Sequence, residues 1–549
     1  MFTFEIYTNN WMLNFTGFPV PFEKTDSYDK LIIDYLKKDE FLKKFHDFDD
    51  SLEGLKCRFE SYENPRLDRE LLKNTLLNQY AKSGMQNVTE KVMENLQSLS
   101  SPKTFTITTG HQLNIFGGPM FVIYKVLTAI NTSEHLSKLY PDNNFVPVFW
   151  MATEDHDIEE ISSITLFGKK YKWESRWKGL SGKMLTEGIE ILIDEVIKTF
   201  GNSEFAEQLS QILKESYLSG LTLSEATRRF LNTLMGIYGL VIIDGNEPAL
   251  KRRIKDVLED ELLNQTSSKI INNSIQLLEK KYNVQARPRE LNLFFVGEDY
   301  RERLVKEGEK FSVLNKDLSF TKESIKAEIE NSPEKFSPNV LLRPLYQESI
   351  LPNIAYIGGP AEVAYWLELK ELFNHFNIPM PVVLLRNCAT ILEKNVLEKI
   401  EKYSIADKDL FLPADDWIRK FIENKEDDQL PIENVSLQIA AEFEELGAKI
   451  SKMDPSLSPF IEAEKQKIKT SFLTLKEKVI RSQKKKNETE VNQIQKLKEK
   501  IFPSGKLQER EETIIPYYLK WGNRFIEALK ENLDPFKKEF YLLKEKEQN

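Results

Sequence analysis

The stretch TITTGHQLNIFGGPMFVIYK, residues 106–125, decides the fold, because it predicts a strand, a glycine-rich loop and a helix in direct succession. An apolar, β-branched run at residues 105–108 predicts a buried strand, which Gly110 ends. From Met120 onward, apolar residues recur at helical spacing. The loop between them would lie at the carboxyl end of a sheet strand, where open α/β folds bind ligands and anionic groups. A tight turn with incidental polar residues is the alternative.

This loop and the start of its helix supply the first candidate site residues. Its glycines would let the backbone approach a ligand, and Pro119 would pre-set the first turn of the helix. His111 is a candidate catalytic residue. The candidate substrate-binding residues of the stretch are Gln112, Asn114, Gly117, Gly118, Tyr124 and Lys125.

Further apolar runs predict the other strands of a sheet. Each ends in polar residues or glycines, and helical patterns separate most of them. The order of strands and helices predicts an α/β fold with a doubly wound parallel sheet and a pocket along its carboxyl edge. The predicted strands lie at residues 144–152, 240–245, 340–342, 355–357 and 381–385.

A polar cluster directly follows the run at residues 144–152 and gives the remaining candidate catalytic residues: Glu154, Asp155, His156 and Asp157. Carboxylates beside a histidine can fix its tautomer and raise its basicity, which suits acid–base chemistry. Adjacent residues of an extended chain point to opposite faces, so at most two could share one ion, and we expect no metal. An acidic cap on the following helix is an equally good explanation.

A second Gly-Gly-Pro, at residues 358–360, repeats the one at residues 117–119 and again precedes a predicted helix. If this site has no ligand, Glu362 would only complement the helix dipole, and Tyr365 and Trp366 would be core residues. The candidate substrate-binding residues of this region are Arg343, Gln347, Glu348, Gly358, Gly359, Glu362, Tyr365, Trp366, Arg386 and Asn387.

The length of 549 residues allows several domains. We expect residues 1–420 to form the α/β core, with residues 1–100 largely helical and insertions at about 160–220 and 250–335. Residues 512–549 carry aromatic side chains at helical spacing and are predicted to return to the core.

Residues 421–511 differ in composition and predict an α-helical, antiparallel coiled coil of two long helices. Apolar residues recur there in alternating steps of four and three residues, and the polar stretch at 481–490 would lie outside the seam or at a stutter. The seam residues are Ile468, Phe472, Leu475, Val479, Ile494, Leu497 and Ile501.

Composition excludes several classes of protein. The 76 lysines and arginines against 86 acidic residues give a net charge of -10, which argues against nucleic acid as the main partner. The first residues lack the pattern of a secretory signal, and no stretch is long and apolar enough for a membrane span. Only two cysteines occur, Cys57 and Cys388, which suits a reducing cytoplasm, and inert thiols are favoured over nucleophilic ones. Arg287 and Arg289 could face an anion, although a solvated or salt-bridged face is favoured.

Four long motifs, in order along the chain, resemble those of the bacillithiol-synthesis cysteine-adding enzymes, a family of cysteine ligases. They are GHQLNIFGGPMFVIYK, PVFWMATEDHDIEEI, RPLYQESILPNIAYIGGPAEVAYW and FPSGKLQERE. The resemblance implies a Rossmann-like, nucleotidyl-transferase-like core with inserted connecting segments, and a coiled-coil arm used in homodimerisation. It also implies a cytoplasmic enzyme that joins L-cysteine to the amine of glucosaminyl malate.

The resemblance also suggests how the site would work. By analogy with the related mycothiol-pathway enzyme, ATP with Mg²⁺ would activate the cysteine carboxylate, although the HxGH and KMSKS patterns of class I synthetases are absent. His111 would contact phosphate, with the charge of Lys125 nearby, and the acidic cluster would serve the amine or acid–base chemistry. Arg343 and Arg386 would hold substrate carboxylates. The groups expected on sugar hydroxyls are Gln347, Glu348 and Glu362.

Two functions of other classes remain open at this point. One is a hydrolase that uses paired carboxylates on a sugar-like substrate, which would act without nucleotide. The other is a coiled-coil scaffold whose α/β part binds a metabolite without turnover.

Overall fold

The computed structural model describes residues 13, 15–85, 88–425 and 432–546. The described residues form two compact units. The first unit holds residues up to Ile391 and from Leu507 onward, and the second is Leu392–Lys506. All the candidate site residues lie in the first unit.

The strands of the first unit form two five-stranded sheets, a three-stranded sheet and a hairpin. The described strands are β1 (Phe15–Val20), β2 (Thr104–His111), β3 (Asn144–Met151), β4 (Ser163–Leu166), β5 (Lys169–Lys172), β6 (Val241–Asp244), β7 (Leu293–Val296), β8 (Arg301–Glu307), β9 (Lys310–Val313), β10 (Ser319–Phe320), β11 (Phe336–Pro338), β12 (Asn353–Gly358), β13 (Val382–Leu385), β14 (Cys388–Leu392) and β15 (Phe540–Glu545).

Helices connect the strands and make up most of the second unit. Over the described residues, no helix has the length and apolar character needed to cross a bilayer. The helices are α1 (Lys30–Leu36), α2 (Leu52–Glu60), α3 (Arg69–Lys82), α4 (Glu90–Ser98), α5 (Met120–Leu139), α6 (Ile158–Ile161), α7 (Ile189–Ile197), α8 (Glu204–Ser216), α9 (Leu223–Met235), α10 (Pro248–Lys251), α11 (Lys255–Asn264), α12 (Thr266–Leu278), α13 (Lys322–Asn331), α14 (Arg343–Ile350), α15 (Pro360–Trp366), α16 (Lys370–His375), α17 (Lys394–Lys402), α18 (Ala414–Lys425), α19 (Ile432–Met453), α20 (Ser458–Lys486), α21 (Glu488–Ile501), α22 (Gln508–Glu511), α23 (Ile515–Trp521) and α24 (Asn523–Asn532).

The central sheet has the strand order β13-β12-β2-β3-β6, and every neighbouring pair is parallel. Its strands are buried almost throughout, as expected for a parallel sheet whose two faces are covered by helices. On α2, the ring of Phe59 packs against Phe105 and Phe145 of the two central strands, with centroids 5.8 and 5.5 Å apart. The predicted doubly wound α/β core is therefore confirmed.

The strand, loop and helix predicted for residues 106–125 are also present, as β2, a tight turn and α5. Phe116, Gly117 and Gly118 have φ angles of 55°, 87° and 65°, so the chain reverses through backbone conformations that favour glycine. The helix begins at Met120, whose N–H donates to the carbonyl of Glu512, 2.7 Å away. The C-terminal part of the chain thus closes the start of α5.

The described part of residues 1–100 is largely helical, as predicted, and also contains β1, which pairs with β15 from the other end of the chain. Two local predictions were wrong. Residues 340–342 form no strand, because the side chain of Asn339 accepts the N–H groups of Leu341 and Leu342 in a turn that leads into α14. The helical pattern from residue 189 to 213 is two helices, α7 and α8, between which Gly201 adopts a φ of 77°.

Two further groups of strands lie between the parallel strands in sequence. After β3 the chain forms the hairpin β4–β5, and after β6 it forms the antiparallel sheet β10-β9-β8-β7-β11. We call the second group the inserted sheet (β7 to β11). It brings its own arginines towards the carboxyl edge of the parallel sheet, as described below.

The second unit is helical, and its long helices α19 and α20 run antiparallel. The Ser451 and Ser458 hydroxyls are 2.8 Å apart near the turn, and Lys465 pairs with Glu444 at 2.7 Å further along. Asn487 interrupts the long helical pattern and separates α20 from α21 within the predicted polar stretch. The helical coiled-coil character of this region is confirmed.

We predict that Gly118→Ala destabilises the first unit strongly. Gly118 combines a φ of 65° with a ψ of -157°, a conformation essentially restricted to glycine, and an added Cβ would lie 2.7 Å from the Cβ of Asn114. We expect the free energy of unfolding to fall by about 3 kcal/mol or more, measured by urea denaturation.

Gly168→Ala is the matched control. Gly168 has a φ of 78°, but no other part of the described chain lies within 4 Å of the position that an added Cβ would occupy, so only the backbone preference changes. We expect a loss of about 1 kcal/mol for this variant. Equal losses in the two variants would contradict the packing argument.

Candidate active site

A cavity of about 700 Å³ lies at the carboxyl edge of the parallel sheet. One wall comes from the ends of β2, β3 and β12 and from residues that follow β6 and β13; the other comes from β7, β8 and residues 338–341. Its size suits a small-molecule substrate. The predicted residues that line it are His111, Gln112, Glu154, Asp155, Arg343, Gly359, Glu362, Tyr365 and Arg386.

The other predicted residues lie outside the cavity lining. Those of the first loop and its helix are Asn114, Gly117, Gly118, Tyr124 and Lys125, and the rest are His156, Asp157, Gln347, Glu348, Gly358, Trp366 and Asn387. Most of these residues are buried. Several of them contact the residues that line the cavity, as described below.

His111 is the last residue of β2, and its ring meets Phe121 edge-on, with centroids 5.1 Å apart. Burial, followed by the positive charge of Lys125, lowers the pKa of His111 to about 3. The imidazole is therefore neutral at physiological pH and offers one hydrogen-bond donor and one acceptor. It is suited to orienting a polar ligand rather than to storing a proton.

The acidic cluster divides into two pairs of residues. Glu154 and Asp155 line the cavity, whereas His156 and Asp157 are exposed. Asp157 accepts the N–H of Glu160 at 3.2 Å and thus caps α6. His156 lies 3.2 Å from a guanidinium nitrogen of Arg301.

Glu154 and Asp155 have different environments. Both oxygens of Asp155 are engaged: one accepts the side-chain amide of Gln112 at 2.7 Å, and the other accepts the N–H of His156 at 2.7 Å. Glu154 accepts one hydrogen bond, at 2.6 Å, from the ammonium of Lys251, which is fully buried. The second oxygen of Glu154 has no hydrogen-bond partner among the described residues.

A second buried lysine, Lys125, pairs with the third carboxylate of the cavity, Glu362. The ammonium of Lys125 is only 1% exposed, lies 2.6 Å from Glu362 and donates to the carbonyl of Gly110 at 2.5 Å. Glu362 also accepts the hydroxyl of Tyr356 and the N–H of Gly359, at 2.5 and 2.8 Å. Burial would raise the pKa of Glu362, but Lys125 and these hydrogen bonds outweigh it, and the pKa is lowered.

Arg343 begins α14 and projects into the cavity. It donates to the side-chain oxygen of Gln347 at 2.8 Å and lies over the rings of Tyr356 and Trp150. No carboxylate among the described residues lies within ion-pair distance of it. Its guanidinium is therefore placed to bind an anionic ligand in a fork geometry.

Arg386 follows β13 and is held by the C-terminal part of the chain. It pairs with Glu509 at 2.5 Å, and both side chains are buried. Its Nε has no hydrogen-bond partner among the described residues, and it lies 3.8 Å from the position that a Cβ on Gly359 would occupy at the cavity wall. Burial raises the pKa of the adjacent Cys388 to about 12, so this thiol is inert, as the sequence favours.

Gln347 and Glu348 form a buried network beneath Arg343. The amides of Gln347 and Asn353 both donate to the same oxygen of Glu348, at 2.7 and 2.9 Å. Burial raises the pKa of Glu348 to about 7. Asn387 is similarly internal and accepts the hydroxyl of Thr128 at 3.0 Å.

The structure adds cavity residues that the sequence did not single out. Arg301 and Arg303 come from β8, and Arg510 comes from α22. The signals for them were weak: alternate positions of a strand share one face, and Arg510 lies in the motif FPSGKLQERE. Arg287 and Arg289 also line the cavity, and Arg287 is salt-bridged to Glu279. The buried lysine Lys251 left no signal in the sequence.

The cavity is consequently rich in positive charge. Seven arginines line it, against the three carboxylates Glu154, Asp155 and Glu362. The buried lysines Lys125 and Lys251 neutralise two of those carboxylates, Glu362 and Glu154. The fold and this site define a Rossmann-like α/β protein with a cavity whose lining carries an excess of positive charge.

Comparison with known proteins places the chain in a family. Residues 19–387 match the family model "Bacillithiol biosynthesis BshC, N-terminal Rossmann-like domain", and residues 389–545 match "Bacillithiol biosynthesis BshC, C-terminal coiled-coil domain". The chain belongs to the BshC family.

Similar proteins from three organisms share the name "Putative cysteine ligase BshC". The one from Cytophaga hutchinsonii is 37% identical over 93% of this chain and 96% of its own length. Those from Flavobacterium psychrophilum and Flavobacterium johnsoniae are 36% and 35% identical, over 96% and 95% of this chain and 99% of each relative. Their shared name describes a ligase, the class of enzyme expected from the sequence motifs.

We predict that Glu348 makes stability depend on pH. Its raised pKa, about 7, means that the folded state keeps a proton that the unfolded chain loses above about pH 4.5. The free energy of unfolding should therefore fall as pH rises from 5 to 8, by up to about 3 kcal/mol.

Glu348→Gln keeps the shape and removes this charge. Relative to the unmodified protein, the variant should gain about 1–3 kcal/mol of stability on going from pH 5 to pH 8, measured by urea denaturation at both values. Glu94→Gln, at an exposed position, is the control and should show no such gain. The same pH dependence in all three proteins would refute a role for Glu348.

Proposed function

We propose that this chain joins the carboxyl group of L-cysteine to the amine of glucosaminyl malate, which completes bacillithiol. The observation that carries the proposal is a cavity in which arginines without carboxylate partners among the described residues face a carboxylate with a free oxygen. Glucosaminyl malate combines carboxylates at one end with an amine at the other. The charges of the cavity complement both ends of such a molecule.

The arginines of the parallel-sheet wall would bind the carboxylates. Arg343 is fixed by Gln347 and by two aromatic rings, so little conformational entropy is lost when it binds a ligand. Arg386 would contribute its Nε, since its other nitrogens are engaged by Glu509 and by the carbonyl of Asn387.

Glu154 would bind the substrate ammonium. Its free oxygen can accept a charge-assisted hydrogen bond, while Lys251 orients the carboxylate through the other oxygen. Asp155 has both oxygens engaged, so it would position Gln112 and the start of the following turn instead. The neutral imidazole of His111 can orient either substrate without changing its own charge.

Forming an amide from a free carboxylate requires activation, and we propose ATP with Mg²⁺ as the activating co-substrate. When bound, ATP would supply the leaving group that the cysteine carboxylate lacks. The unpaired cavity arginines are suitable partners for its phosphates. No group of three or more metal-ligating side chains is present among the described residues, so Mg²⁺ would arrive with the nucleotide.

The proposal predicts product formation from L-cysteine and glucosaminyl malate by the purified protein. Mass spectrometry should detect bacillithiol with ATP and Mg²⁺ and detect none without them. Product without nucleotide would refute the role of ATP. Release of a sugar from glucosaminyl malate would favour a hydrolase, and binding without turnover would favour a scaffold.

Glu154→Gln and Asp157→Asn test the amine site as a matched pair. Each removes one negative charge from the same acidic cluster, but only Glu154 lines the cavity. We expect kcat/KM for glucosaminyl malate to fall at least about tenfold in the first variant and to stay within about twofold in the second. The reverse pattern would contradict the assignment.

We also propose that the coiled-coil unit forms a homodimer. Phe460 and Leu473 of α20 are 63% and 55% exposed, which is unusual for large apolar side chains on a helix that has a partner. Light scattering should give twice the chain mass for the unmodified protein and the chain mass for Leu473→Lys. Ser471→Lys, at an exposed polar position of the same helix, should remain dimeric.

A further inference from the structure

Three arginines of the inserted-sheet wall have no assigned role. Arg289, Arg301 and Arg303, which we call the insert arginines, all line the cavity. None of them has a carboxylate within ion-pair distance among the described residues. By contrast, the neighbouring Arg287 is neutralised by Glu279. The insert arginines therefore leave uncompensated positive charge on one side of the cavity.

Hydrogen bonds from buried residues fix the backbone that carries Arg289. The buried side chain of Asn292 accepts the N–H of Arg289 and donates to its carbonyl, both at 3.1 Å, which closes the turn that carries this arginine. Glu261 in turn accepts the N–H of Asn292 at 2.6 Å. Asn292 thus fixes the backbone that positions Arg289.

The other two insert arginines belong to β8, where Arg303 pairs in register with Phe294 of β7. The guanidinium of Arg301 is anchored by the hydroxyl of Ser337 at 2.9 Å and the carbonyl of Pro338 at 3.0 Å. Positions 301 and 303 share one face of the strand. The Arg301 guanidinium and the backbone that carries Arg289 and Arg303 are therefore held in place before any ligand binds.

The charge of the cavity exceeds what the two proposed substrates can neutralise. With both amines protonated, glucosaminyl malate and cysteine together carry a net charge of about -1, by their reference pKa values. Arg343 of α14 and Arg510 of α22 also lack carboxylate partners among the described residues, and Asp155 is the one cavity carboxylate not balanced by a lysine. A further, strongly anionic ligand is needed to balance the insert arginines.

We propose that the insert arginines form a subsite for a chain of phosphate groups. Planar guanidinium groups bind phosphate oxygens in pairs, and three of them on one wall match a ligand with several adjacent anionic groups. The parallel-sheet wall, with Arg343 and Arg386, remains the site for carboxylates. This division rests on the proposed function for the identity of the carboxylate ligand, but the phosphate subsite can be tested by itself.

The test is a calorimetric titration of the purified full-length protein with tripolyphosphate, in the presence of EDTA and without cysteine or glucosaminyl malate. We expect binding, and a loss of affinity of at least about tenfold in both Arg289→Gln and Arg303→Gln. Arg287→Gln is the matched control, because Glu279 already neutralises that arginine, and its affinity should change less than about twofold. Thermal unfolding of each variant checks that it is folded.

Titrating both ligands against variants of both walls distinguishes the carboxylate site from the phosphate subsite. Arg343→Gln should weaken the binding of glucosaminyl malate and leave tripolyphosphate binding unchanged, and the insert-arginine variants should do the opposite. ATP titrated in place of tripolyphosphate identifies the source of the phosphates: tighter binding of ATP indicates a nucleotide, and equal binding indicates a free polyphosphate. Both results support the subsite.

Two results would overturn the subsite: no binding of tripolyphosphate, or equal affinity in the unmodified protein and in both insert-arginine variants. Failure of the proposed function is a separate outcome. It would appear as absent amide product in the mass-spectrometric assay while tripolyphosphate binding still depends on Arg289 and Arg303.

Discussion

The buried ammonium of Lys125 is the contact on which the rest of the site depends. It joins the carbonyl of Gly110, at the end of β2, to the carboxylate of Glu362 on α15, while its own backbone belongs to α5. The helices that follow the two Gly-Gly-Pro segments, α5 and α15, are thus joined by one buried ion pair. Removing one partner of such a buried pair typically costs about 3–5 kcal/mol, because the other charge is left uncompensated.

The pair formed by Lys251 and Glu154 repeats this arrangement further along the same edge of the sheet. In both cases the lysine approaches from the protein interior and the glutamate faces the cavity. Each lysine offsets the charge of its glutamate, so neither pair adds net negative charge to the cavity, whose arginines remain available to a ligand. A site for a molecule with acidic and basic ends needs this separation, because free carboxylates and guanidinium groups would otherwise pair with one another.

The parallel sheet was predictable because its strands, buried on both faces, are continuous runs of apolar or β-branched residues, and the carboxyl-edge position of His111 and Glu154 followed from it. Residues 340–342 misled the prediction, since three apolar residues cannot distinguish a strand from a turn closed by a preceding asparagine. The site was predictable where polar residues follow strands. Lys251 and Arg303 were not, because they reach the cavity through tertiary packing of helices and an inserted sheet, which leaves no local pattern.

The ion pair between Arg386 and Glu509 has a consequence for biosynthesis of the chain. Glu509 follows the whole coiled-coil unit in sequence, yet it supplies the carboxylate that fixes an arginine of the cavity wall. A ribosome must therefore synthesise the whole of the second unit before Glu509 is available to pair with Arg386. A chain that ends within the coiled coil contains the sequence of every strand of the parallel sheet but lacks the carboxylate that fixes this arginine.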